Sequence, residues 1–154
     1  MKHFFLLLII TASLPPIASG QITEAKKLEP RKTIGKNESL GAYVELYYRI
    51  GEEEDTTFVL MYQNKNYKTI VDIESITFFG GMDVIDKLYS YMTSVFLDEN
   101  KKNKDYKVHF ALGDKDVIVS NERTMGNNWV RFWTSDGYFV LNEKQVNKLF
   151  GKDK

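Results

Sequence analysis

Between residues 42 and 50 every second side chain is apolar: Ala42, Val44, Leu46, Tyr48 and Ile50 alternate with Tyr43, Glu45, Tyr47 and Arg49. A period of two puts one set on each face of an extended chain, so this segment reads as a strand with one face in a core. A helix would scatter the same set around its circumference. The signature recurs. Residues 57–63 are apolar on both faces (Phe58, Leu60, Tyr62; Val59, Met61) and predict a central strand. Residues 67–79, rich in Ile, Val, Thr and Phe, predict a third strand. Its alternation slips at Glu74-Ser75, as a β-bulge would make it do. Further along, Tyr106, Val108, Phe110 and Leu112 alternate, and residues 116–121, 128–134 and 138–141 predict three more strands, with residues 121–128 as a loop and Ser135-Asp136-Gly137 as a hairpin turn.

Two segments carry helical spacing instead. Ile85, Leu88, Met92 and Val95 make an apolar stripe over a helix running to about residue 96, with Asp83 placed to cap it. Asn142 caps a closing helix, Gln145 completes a capping box, and Val146, Leu149 and Phe150 form its stripe. The order is therefore strands, helix, strands, helix. That is an α+β fold, in which antiparallel β meanders of about seven strands carry two helices packed on the sheet. Two similar β-β-β-α halves fit this order. Ile85-Asp86-Lys87-Leu88-Tyr89 echoes Val146-Asn147-Lys148-Leu149-Phe150, a match that shared amphipathicity alone also produces.

The start of the chain differs in kind. Lys2 and His3 precede an apolar run over residues 4–10, Pro15-Pro16 break it, and Ala18-Ser19-Gly20 offers small residues to a signal peptidase. The run is shorter than the ~20 residues that span a bilayer. Residues 1–20 are read as a signal peptide and residues 21–40, which have no sustained period, as a flexible leader or a short first helix over 23–28. Residues 41–154 form a single domain, and no membrane span remains after cleavage. The expected location is outside the cytoplasm, periplasmic or secreted.

Composition narrows the chemistry. With no cysteine there is no disulfide, Cys-based metal site or thiol nucleophile. Lys and Arg number 21 and so do Asp and Glu, a balance unlike that of a nucleic-acid binder. After cleavage one histidine remains, His109, on the strand face opposite the apolar set, with no local partner for acid–base work. The run Glu52-Glu53-Glu54-Asp55 and the pair Asp114 and Asp116 read as solvated turns rather than calcium loops. Asn37-Glu38-Ser39 fits a glycosylation acceptor. Asp72 and Glu74, two apart on the third strand, are the carboxylates a small hydrolase would use. No phosphate loop, dinucleotide fingerprint or nucleophile elbow is present, and no cofactor or metal is expected.

The distinctive stretch is Asn127-Asn128-Trp129-Val130-Arg131-Phe132-Trp133. If Val130 and Phe132 face the core, Trp129, Arg131 and Trp133 share the outer face, and Tyr138 lies across the hairpin in line with them. Aligned aromatics stack on rings, and Trp and Arg are common interface anchors. Tyr43, Tyr47, Glu45 and Arg49 form a similar face on the first strand. The expectation is an exported, non-catalytic binding protein using Trp129, Arg131, Trp133 and Tyr138, with another protein as first partner and a glycan second. The alternatives are the carboxylate hydrolase and a structural or assembly subunit that lends its leader or an edge strand to a neighbour. The export reading is tested by mass: the protein recovered outside the cells that make it should begin at Gln21, and one beginning at Met1 would remove it.

Overall fold

A computed structural model describes residues 30–39, 42–51, 56–67, 70–124 and 126–153. The signal-peptide reading, the helix at 23–28 and the acidic run at 52–55 lie outside the described residues. Eight strands and two helices follow in order: β1 (Lys32–Ser39), β2 (Ala42–Ile50), β3 (Thr56–Gln63), β4 (Ile73–Phe79), α1 (Met82–Thr93), a 3-10 turn at Ser94–Phe96, β5 (Lys107–Leu112), β6 (Lys115–Thr124), β7 (Asn127–Trp133), β8 (Tyr138–Leu141) and α2 (Glu143–Leu149). The strands form two antiparallel four-stranded meanders, β1-β2-β3-β4 and β5-β6-β7-β8. The architecture is α+β, and each half is four strands closed by a helix. No helix among the described residues is long and apolar enough to cross a membrane.

Strand β1 corrects the leader. Residues 32–39 have one large apolar side chain, Ile34, so no period marks them. They become a strand through their neighbours. β1 pairs with β2 from Lys32↔Tyr48 to Ser39↔Ala42, with a register shift between Thr33 and Gly35. Gly35 lies against α2 so closely that a Cβ there would sit 2.2 Å from the Lys148 carbonyl oxygen. Asn37 is 4% exposed and donates from Nδ2 to the Gln145 carbonyl at 2.8 Å. The amide of the glycosylation pattern is thus part of the β1–α2 junction.

The expected bulge at Glu74-Ser75 does not form. The β3–β4 register runs unbroken from Thr57↔Phe79 to Gln63↔Ile73. The apparent slip arises because Val71 and Ile73 are not core residues: Val71 is 75% exposed, and β4 begins only at Ile73. Two boundaries also move. The segment 121–128 is largely strand, with β6 and β7 paired as far as Thr124↔Asn127. Helix α1 is capped by Gly81 rather than Asp83, which instead places its charge in the first turn, where the helix dipole favours it. The capping box of α2 is present, with Gln145 N donating to Asn142 Oδ1 at 2.9 Å and Asn142 N to Gln145 Oε1 at 3.0 Å.

The helices are exchanged between the halves. α1 and the 3-10 turn after it pack on β6 and β7, and Tyr91 meets Phe110 of β5 at 4.7 Å between ring centroids. α2 packs on β1 and β2. One continuous apolar cluster results, from Val44, Leu46 and Phe58 through Ile85, Leu88 and Met92 to Val130, Phe132 and Phe139.

Polar contacts tie the halves at a second point. Tyr62 and Thr134 share a buried hydroxyl hydrogen bond of 2.9 Å. Asn64, 1% exposed, donates from Nδ2 to Asp72 Oδ2 at 3.0 Å and to the Asp136 carbonyl at 2.8 Å. Its Oδ1 accepts from the backbone N–H groups of Asn66 (3.0 Å) and Tyr138 (3.4 Å). Removing such a group strands buried donors and acceptors, at about 1–3 kcal/mol each. Asn64→Ala should therefore lower unfolding free energy by roughly 2–4 kcal/mol in denaturant titration. A loss below about 0.5 kcal/mol, the level of an ordinary surface change, would show that Asn64 does not join the halves.

Candidate functional site

Two strand faces carry aromatic residues away from the core, and they differ in how far their own groups satisfy them. On the first sheet, Glu45 is 1% exposed although it is on the non-core face of β2. Tyr43 donates its hydroxyl to Glu45 Oε2 at 2.5 Å, Thr33 Oγ1 donates to Oε1 at 3.0 Å, and Arg31 Nη1 stands 3.5 Å from Oε2. Arg31 and Arg49 lie over the Tyr47 ring, at 5.3 and 5.9 Å from its centroid. Burial pushes the Glu45 carboxyl up, but the hydrogen bonds from Tyr43 and Thr33 and the charges of Arg31 and Lys36 outweigh it, and the net shift is downward. Burial and the Glu45 hydrogen bond push the Tyr43 hydroxyl up to about 12. The Glu45 carboxylate is thus engaged on both oxygens, while Arg49 Nε on the same face is buried without a hydrogen-bond partner among the described residues.

The second sheet presents a different surface. Val130 and Phe132 are 0% exposed, which fixes β7 with its other side outward. Trp129, Arg131 and Trp133 share that outer side. Cross-strand register then aligns His109 of β5 with Ile118 of β6, Ile118 with Trp133, and Trp133 with Tyr138 of β8. These four side chains form one rung across the whole sheet. The next rung is Lys107, Ser120, Arg131 and Val140. Trp133 stacks on Tyr138 with centroids 5.3 Å apart and planes 7° from parallel. The Arg131 guanidinium carbon lies 4.9 Å from the Tyr138 centroid, and its Nε donates to Glu122 Oε2 at 2.8 Å. An ion pair, a cation–π contact and a ring stack thus set the Trp133 plane in sequence. Trp133 remains 40% exposed.

The structure separates the two tryptophans that the sequence pattern grouped. An open groove of about 490 Å³ runs beside Trp133, with His109, Ile118, Asp116 and Ser135 in its walls. Trp129, half-buried, lines a different opening of about 500 Å³ with Phe96, Lys101, Asn128 and Lys144. His109 and Ile118 are the members of the rung that local pattern did not supply. Only the β5–β6–β7 register reveals them.

The hydrolase pair is not assembled on a strand. Asp72 precedes β4, and its carboxylate accepts from Asn64. Glu74 is half-buried and paired in register with Tyr62. Among the described residues no group of three or more His, Asp and Glu is placed to hold a metal ion. The chain matches no family model, no curated protein and no solved structure.

The Glu45 cluster has a pH signature whose sign is fixed. A carboxyl with a lowered folded-state pKa stabilises the fold above its ordinary value of 4.5, and that contribution is lost as pH falls through the folded value. Glu45→Gln should be less stable than the parent at pH 7, and the gap should narrow steadily as pH falls from 5 to 3. A gap of constant size in denaturant unfolding across that range would show that the Glu45 charge does not matter.

Proposed function

We propose that the protein is a non-catalytic binding protein that recognises its ligand on the outer face of the second sheet. The observation that carries this reading is Trp133: an indole held parallel to Tyr138, 40% exposed, beside an open groove. Exposing so large an apolar ring costs solvation free energy of the order of 25 cal/mol per Å². Fixing it in place does not lower that cost. It does lower the entropy a ligand loses on binding, because the ring is already oriented. The charged neighbours support the reading, since Arg131 and Glu122 neutralise each other and leave the aromatic surface dominant. The Glu45 face lacks this property, its polar groups being turned on one another. Export, from the signal-peptide pattern of residues 1–20, places the ligand outside the cytoplasm.

The test reads the face whatever the ligand's identity. Two indole N–H resonances, assigned with Trp129→Phe and Trp133→Phe, are followed in the labelled protein on adding soluble extract of the cells that make it. The Trp133 resonance should shift or broaden, and retention of the bound component should fall at least ten-fold in Trp133→Ala with the fold unchanged by circular dichroism. Extract components that bind Trp133→Ala as well as the parent would place the binding surface elsewhere.

A further inference from the structure

We infer that the groove beside Trp133 is a subsite for one ring of a neutral saccharide. This rests on the reading of the second sheet's outer face as the binding surface, and it names the ligand chemistry.

Tyr138 covers one face of the Trp133 indole and does not line the groove, whose walls lie toward Ile118 and His109. Trp133 borders the groove together with Ile118, its register partner on the side away from Tyr138. An aromatic face carries negative charge density and attracts the weakly positive C–H groups of a ring laid flat on it. The pyranose ring presents such a C–H face. Its hydroxyls point outward around the ring edge and need partners there.

The groove supplies those partners at its rim. His109 and Asp116 are exposed on neighbouring strands, one on the Trp133 rung and one on the adjacent rung with Ala111. Ser135 follows Thr134, one residue beyond the end of β7, and lines the groove. Asp116 forms no ion pair among the described residues, and its carboxylate can accept from two adjacent hydroxyls, the donor pair a vicinal diol offers.

Charge selects between ring-shaped ligands. A nucleotide or an acidic sugar needs free cations beside the stacking platform. Among the described residues no lysine or arginine lines the groove: Lys115 is held by Asp136 at 2.8 Å and by Asp114 at 3.7 Å, Arg131 by Glu122 at 2.8 Å, and Lys107, exposed on the adjacent rung at the edge strand β5, lies outside its walls. The carboxylate left over, Asp116, repels an anion. A quaternary ammonium ion fits less well, because such ions are enclosed by several aromatic faces and this groove offers one indole face. A neutral polyol ring satisfies both the flat apolar wall and the uncharged or acceptor rim. The volume, about 490 Å³, lies within the range of small-ligand sites.

The experiment follows the Trp133 indole resonance in the full protein. The probes are cellotriose, maltotriose and tri-N-acetylchitotriose, each at 10 mM, with tetramethylammonium at the same concentration as the cation control. The same native extract is also added after protease digestion, and separately after periodate oxidation, which cleaves vicinal diols. A shift from a trisaccharide, or from a protease-resistant and periodate-sensitive component of the extract, is the expected result. In that case Trp133→Ala should weaken binding at least ten-fold, and Asp116→Asn should weaken it several-fold without altering the free spectrum elsewhere. A Trp133 shift caused only by a protease-sensitive component, or only by tetramethylammonium, would overturn the saccharide and leave the binding face in place. No shift with any addition would overturn both.

Discussion

Each helix of this molecule completes the core of the sheet it does not follow in sequence. α1 leaves β4 and, with the 3-10 turn that follows it, packs on β7 and β6, while α2 leaves β8 and packs mainly on β1. Neither four-stranded meander can therefore bury its apolar face with its own residues alone. The halves fold as one unit, with a single cluster running through both sheets. The closeness of this packing is visible at Gly35, where the β1 backbone meets the last turn of α2 with no room for a side chain. At the opposite junction the β5–β6 turn presses on β4. Gly113 has a left-handed φ of +61°, and a Cβ there would meet the Thr77 carbonyl oxygen at 2.2 Å.

The outward placement of the Trp133 face is a consequence of that arrangement. Because α1 packs on the inner side of β7, Val130 and Phe132 are forced inward, and the pleat then leaves no choice for Trp129, Arg131 and Trp133. The Tyr62–Thr134 hydrogen bond and the Asn64 contacts hold the β7–β8 turn from behind. Trp133 and Tyr138 flank that turn, so the ring stack has the Arg131 and Glu122 contacts on its own side of the sheet and the Tyr62 and Asn64 contacts on the other.

Much of this was legible in the residues. The strict alternation of β2, the stripe Ile85-Leu88-Met92-Val95 and the Asn142–Gln145 capping box each specify their element locally, and each is realised. The outward direction of Trp129, Arg131 and Trp133 was legible for the same reason, since Val130 and Phe132 are the more apolar set. What could not be read depends on partners distant in sequence. β1 has almost no apolar period, and it is a strand because β2 and α2 make it one. Val71 and Ile73 look like core by composition, yet Val71 precedes β4 and Ile73 falls on the face of β4 opposite the buried Ile76 and Phe78. The rung linking His109 to Trp133 requires the register of three strands, which no window of residues contains.

On the reading proposed above, the geometry also sets the character of the recognition. A single indole face with a few rim hydrogen bonds gives modest affinity at one subsite, since ring stacking contributes only about 1–3 kcal/mol. Preorganisation by Tyr138 and Arg131 limits the entropic loss but adds no contact area. Trp129 stands four residues before Trp133 on the same side of β7, about 13 Å away at ~3.3 Å per residue, and its opening is walled by Phe96 of the 3-10 turn and by Asn142, Glu143 and Lys144 at the start of α2, none of which lines the Trp133 groove. The two tryptophans of β7 therefore do not share one groove, and the proposed subsite stands on Trp133 alone.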